Sequence, residues 1–167
     1  MAMMAALGRI EDVFLGGAVA TALLTTVLSG SQGLGLSRLS LPFLVGSFFT
    51  ANRARANLYG AVFYFLGGWL FALIYFWLFA QLGRGGLLFG AMTGVVHGLF
   101  LLTVMLPLLP YLHPRVASEY DAPGETPKLE PPGFLGLNYG RRTPLATLIA
   151  HGIYGAALGI FYAGGLS

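Results

Sequence analysis

Apolar residues in this chain fall in long unbroken runs separated by short polar stretches. Four runs, at about 12–30, 57–80, 86–109 and 144–165, each supply the ~20 helical residues needed to cross the ~30 Å hydrocarbon core of a bilayer. None alternates with a period of two, and a backbone in lipid must pair with itself, so the runs predict transmembrane helices. The turn Leu82-Gly83-Arg84-Gly85 is short, which makes the second and third spans antiparallel neighbours. A fifth apolar stretch at about 39–49, LSLPFLVGSFF, is too short to span. With Ser40 as a candidate N-cap and Pro42 in the first turn it predicts a short interfacial or re-entrant helix; an apolar loop packed on the bundle fits the same residues. The polar stretch at about 111–143 carries Pro114, Pro123, Pro127, Pro131 and Pro132, which favour extended, semi-rigid chain. Its end, GFLGLNYG, is apolar and aromatic and is expected to dock on the bundle or on a partner. The fold expected is all-α and polytopic: four transmembrane helices in a compact bundle, with residues 1–167 forming one membrane domain.

Small residues stripe every span. Span three carries Gly86, Gly90, Gly94 and Gly98, and span four carries Thr147, Gly155, Gly159 and Ala163. Span one carries Gly17, Thr21, Thr25 and Ser29, and span two Gly60, Gly67, Gly68 and Ala72. In lipid, helices associate by close approach through such residues, because no hydrophobic drive separates helix from tail. The stripes predict tight packing within the chain, with the alternative that some faces receive another subunit or a flat ligand. The stripes also suggest a repeat. Gly17 to Thr21 parallels Gly90 to Gly94, and Gly68-x-x-x-Ala72-x-x-Tyr75 parallels Gly155-x-x-x-Gly159-x-x-Tyr162. Two helical hairpins in the same orientation would produce this. Span two also concentrates aromatic residues, among them Trp69, Phe71, Tyr75, Phe76, Trp77 and Phe79, whose middle members are expected to face lipid or a partner.

Composition narrows the class further. The chain is 56% hydrophobic and 9% charged, with a mean hydropathy of +0.76. Soluble domains carry about 25% charged residues, so a water-soluble protein is excluded. The absence of cysteine removes disulfides, thiolate metal sites and thiol chemistry. The basic residues lie in short loops, so they report topology and imply no nucleic-acid partner. Arg38, Arg53, Arg55, Arg115, Lys128, Arg141 and Arg142 fall on one side of the membrane, Arg9 and Arg84 on the other. By the positive-inside rule, loops 31–56 and 110–143 are expected to be cytoplasmic and both termini non-cytoplasmic, in a bacterial inner membrane. Ala18-Val19-Ala20 imitates a cleavage site, but Glu11 and Asp12 leave too few apolar residues before it, so the first run is expected to remain a span.

Ionisable residues at membrane depth are candidate functional residues. His97 lies about nine residues before Leu106-Pro107 near the loop end of span three and His151 about seven past Pro144, which places both roughly 10–14 Å from the same surface. Three readings follow. The pair is placed to ligate a haem iron from two sides, with glycines leaving room for the macrocycle. Alternatively each ring hydrogen-bonds a neighbouring hydroxyl or carbonyl, with Thr93, Thr25, Thr26 and Tyr154 as candidate partners. A proton relay is the third, and it lacks any deep Asp, Glu, Lys or Arg to continue it. His113 is expected at the interface with no assigned role. Arg141 and Arg142 precede a helix start in which Thr143 caps and Pro144 takes the first turn; with Arg53 and Arg55 they are candidate contacts for a lipid phosphate or an acidic partner.

No nucleophile elbow, P-loop, zinc-protease or cysteine motif is present, so no enzyme activity is expected. Leu41-Pro42 with Gly46, Gly68-Ala72-Tyr75, Leu106-Pro107 and His151-Gly155-Gly159-Tyr162 together resemble the pattern of uncharacterised small bacterial four-span integral membrane proteins. That resemblance covers most of the chain and implies a fold and no activity. The long proline-rich loop departs from it. The function expected is a non-catalytic accessory or structural subunit packing against a larger membrane assembly, such as a respiratory or photosynthetic electron-transfer complex, with bound membrane lipid. A haem-binding electron carrier through His97 and His151, and a small transporter or channel, are the alternatives.

Overall fold

A computed structural model describes residues 2–118 and 128–164; the side chains of residues 2–9 are not described. The acidic middle of the loop, with Glu119, Asp121, Pro123, Glu125 and Pro127, lies outside the described residues. Six α-helices follow in order: α1 (Ala2–Gly33), α2 (Leu41–Ser47), α3 (Arg53–Leu82), α4 (Leu87–Phe100), α5 (Leu106–Leu112) and α6 (Thr143–Gly164). A π-helical segment, Leu101–Met105, joins α4 to α5, and a 3₁₀ segment, Phe134–Tyr139, precedes α6. Four stretches are long and apolar enough to cross a membrane: Ile10–Gly33, Arg53–Leu82, Leu87–Leu112 and Thr143–Gly164. The protein is thus a four-span helical membrane protein. Each helical run extends a few residues beyond its apolar stretch at one or both ends.

The chain divides into two units, Met1–Val27 with Phe65–Gly98 and Leu148–Ser167, and Leu28–Tyr64 with Leu99–Thr147. In the first, glycines bring backbones into direct contact. A methyl group on Gly90 would meet the carbonyl oxygen of Gly155, one on Gly94 the carbonyl of His151, and one on Gly159 the carbonyl of Gly86. Gly86 contributes differently. It adopts a left-handed backbone (φ +93°), and its N–H donates to Gly159 O at 2.8 Å, a hydrogen bond from the residue before α4 to α6. Gly98 packs on the His151 Cβ and Leu148. On α4 and α6 the faces of Gly90, Gly94, Gly98, Gly155 and Gly159 are thus filled within the chain, whereas Gly67 of α3 has nothing within 4 Å of an added methyl.

The helix pair α1–α3 repeats the scheme of α4–α6. Gly17 meets Ala72 as Gly90 meets Gly159, and Thr21 meets Gly68 as Gly94 meets Gly155. The partners stand 73 residues apart between α1 and α4, and 87 apart between α3 and α6, as in the sequence match. Thr21 and Thr25 return their hydroxyls to carbonyls one turn back, as does Thr26, so the two α1 threonines proposed as histidine partners are satisfied within their own helix. Among the aromatics of α3, Trp77 is exposed, but Tyr75, Phe76 and Phe79 are buried. They face the interior because their ring partners are Tyr154, Phe89 and Tyr162.

In the second unit the short α2 is a true helix. Ser40 Oγ accepts from the Phe43 N–H, and Pro42 sits in the first turn, where its missing N–H costs nothing. Gly46 and Gly60 allow α2 to lie directly on α3: a methyl on Gly46 would strike Ala56 O, and one on Gly60 would strike Pro42 O. The π segment has a local cause. Pro107 lacks an N–H and its ring crowds the carbonyl four residues back; widening the preceding turn relieves that crowding.

The loop after α5 is built from cross-links. Leu129 N–H donates to Arg115 O at 2.7 Å, and Ala117 N–H to Leu129 O at 2.9 Å. GFLGLNYG docks inside this unit. Arg38 N–H donates to Tyr139 O at 2.7 Å, the Arg38 guanidinium to Asn138 O at 2.6 Å, and Tyr139 Oη to Glu130 O at 2.6 Å. Burial and the Glu130 carboxylate push the Tyr139 phenol above its usual range, with Arg38 opposing them. Thr143 pairs its hydroxyl with Ser37 at 2.8 Å, a tie between segments rather than the expected helix cap.

Candidate functional site: the buried histidine cluster

The sequence makes the site by register. His151 stands on the small-residue face of α6, and Gly94 and Gly98 remove the side chains that would otherwise keep α4 away from it. The two imidazoles meet edge to face, with centroids 4.9 Å apart and planes at 82°. His151 is 3% exposed. α3 supplies the rest. Phe71 lies against the His97 ring at 4.3 Å, and Tyr75 brings its hydroxyl to 3.2 Å from His97 Nδ1 and 3.3 Å from Thr93 O. Tyr154 packs edge-on to Tyr75 at 5.5 Å.

Valence assigns the tautomer. A phenol has one proton, and Thr93 O can only accept, so Tyr75 Oη–H donates to that carbonyl. Tyr75 oxygen then accepts from His97 Nδ1–H, which leaves the Nε2 lone pair free to accept. Tyr154 Oη–H donates to Gly68 O at 2.7 Å, tying α6 to α3. That carbonyl belongs to a helical turn already, so Tyr154→Phe leaves Gly68 O paired within α3. The expected cost is about 0.5–1.5 kcal/mol, measured as the fall in unfolding free energy in detergent micelles.

The cluster does not fit a haem. Two axial imidazoles must hold an iron and the plane of a macrocycle between them. Here the edge of one ring lies on the face of the other, and the backbones of α4 and α6 touch at Gly94 and His151 on the same level. The glycine surface that was to leave room for the macrocycle is closed by helix packing. No group of three or more His, Cys, Asp or Glu is placed to hold a metal among the described residues. What the arrangement does is join three helices through rings and hydroxyls whose polar atoms face inward.

Two sites escaped the sequence reading. The expectation that the middle aromatics of the second span face lipid or a partner fails at Tyr75, whose place three residues after Ala72 puts it near the small face of α3. His113 is not a free interfacial group but 6% exposed. Its Nε2–H donates to Leu44 O at 3.0 Å, its Nδ1 accepts from the Arg115 N–H at 3.1 Å, and Ser47 Oγ lies 3.3 Å from Nε2. Arg115 Nη1 donates to Ser47 O at 2.8 Å and Phe48 O at 2.7 Å, closing the C-terminal end of α2. The other candidate cations, Arg53, Arg55, Arg141 and Arg142, are all exposed. Compared with protein-family models, curated proteins and solved structures, the chain matches none.

Proposed function

We propose that this chain is a non-catalytic accessory subunit that docks on a larger membrane assembly through its extramembrane loop. The observation that carries this reading is the loop's 3₁₀ segment. Gly133, Leu135, Gly136 and Gly140 all adopt positive φ, and for Leu135 (φ 57°) that conformation is strained. The surrounding hydrogen bonds of Arg38, Asn138 and Tyr139 hold it there. The result is a fixed platform that turns Phe134 (62% exposed) and Leu137 (47%) outward. Apolar side chains held out on an ordered loop mark a contact surface. On the charge distribution the platform belongs to the cytoplasmic face, in a bacterial inner membrane. The partner assembly we favour is an electron-transfer complex of the respiratory or photosynthetic kind, whose own cofactors would colour the joint fraction.

The test is purification from native membranes in mild detergent. The intact protein is expected to migrate with larger polypeptides, and a Phe134→Ser/Leu137→Ser variant to migrate alone. Recovery of only the free 17.7 kDa chain in both cases would sink the proposal. A visible spectrum of the joint fraction reports whether the assembly carries haem, and one of the free chain lacking a Soret band dismisses the electron-carrier alternative.

A further inference from the structure

The second unit holds an apolar groove of about 290 Å³. Its walls are α2 with the residues after it (Leu44, Val45, Phe48) and one stripe of the third span. That stripe is Leu101, Met105, Leu109 and His113, four residues apart, so the groove runs roughly 18 Å along the span axis at 1.5 Å per residue. The π segment forms its deeper part, and Pro107 and Pro110 lie in the α5 turn beside it. Phe48, Met105 and neighbouring Phe49 are 48%, 38% and 50% exposed, so the groove is open along its length.

A cation stands beside one end, although Arg115 does not itself line the groove. His113 and Phe48 line the groove, and Arg115 is bonded to both, through its own N–H to the His113 ring and through Nη1 to Phe48 O. The remaining guanidinium N–H groups show no protein acceptor and no carboxylate partner among the described residues. The position of Arg115, three residues beyond the end of the span at Leu112, is that of a lipid headgroup. An apolar groove that runs toward the bilayer centre, with a partly free guanidinium bonded to the residues at its outer end, suits one acyl chain of a phospholipid below its phosphate.

We propose that this groove binds an anionic glycerophospholipid, one acyl chain lying along Leu109, Met105 and Leu101 and the phosphate on Arg115. The role is separate from docking at Phe134 and Leu137, and failure of one leaves the other standing. The ring of His113, held by three bonds, fixes the mouth and carries no charge in the tautomer those bonds require.

The experiment is thermal unfolding of the full chain in detergent, with dioleoyl phosphatidylglycerol, dioleoyl phosphatidylcholine or inorganic phosphate added, and native mass spectrometry of the same samples. Phosphatidylglycerol is expected to raise the midpoint and to remain bound; phosphatidylcholine is expected to do so less, and phosphate not at all. Arg115→Gln should weaken retention about five-fold, the effect of one cation at the membrane surface, and Arg115→Lys should restore most of it. Because Arg115 also ties down α2, Met105→Trp is the second variant: it fills the groove from an exposed position and should abolish the shift with helicity unchanged. An equal shift with phosphatidylcholine, a shift with phosphate alone, no shift in the unaltered chain, or a full shift in Met105→Trp each overturns the proposal.

Discussion

Gly90→Val is expected to cost about 3 kcal/mol or more, the upper end for overpacking a close contact. The added carbon would fall on the carbonyl oxygen of Gly155 and near the Gly159 Cα, and neither has a side chain that can rotate away. Relief requires α4 and α6 to separate, which also parts Gly94 from His151 and breaks the Gly86 N–H to Gly159 O bond. Reversible unfolding in mixed micelles measures the loss. Gly67→Ala is the control. Nothing lies within 4 Å of the added methyl, and Ala is the better helix residue, so that variant should gain roughly 0.5–1 kcal/mol. If both substitutions are neutral, the α4–α6 contact is not what holds this helix pair.

Tyr75→Phe is expected to cost about 1–3 kcal/mol, the penalty for leaving a buried donor unpaired. It removes the acceptor of His97 Nδ1–H and the donor to Thr93 O in one step. Tyr75 is 3% exposed and the half-buried His97 ring lies against Phe71, so water replaces the lost partner poorly. The loss should therefore exceed that of Tyr154→Phe. A cycle with His97→Phe, which preserves a ring against Phe71, isolates the bond: removing the Tyr75 hydroxyl should cost less once His97 is gone. Equal costs in both backgrounds would mean that the two groups are neighbours without a functional bond.

Spans and small-residue faces were legible because lipid makes them so. Length, apolarity and four-residue spacing are one-dimensional signals, and the environment leaves the backbone few alternatives. The proximity of His97 and His151 was legible too, since depth along a helix follows from residue count. Their role was not. A haem pair and a hydrogen-bonded pair need the same depth match and differ only in the ångströms between backbones, which the glycines set. Tyr75 and the Ser47–His113–Arg115 network were missed because each joins segments far apart in sequence, and no periodicity announces such a bond. The π segment did have a signal, in Pro107 and Pro110 near the end of a helical run.

The doubled packing scheme raises a problem of identity during assembly. Two hairpins with the same spacing of small residues enter the membrane one after the other, and each helix of the first finds in the second a surface of familiar form. Mispaired bundles are the natural competitor. At the positions equivalent to His97 and His151 the first hairpin carries Leu24 and Tyr64. Only the second hairpin can place two imidazoles ring to ring, and only α3 offers the Tyr75 hydroxyl to one of them. The cluster thus distinguishes one half of the molecule from the other.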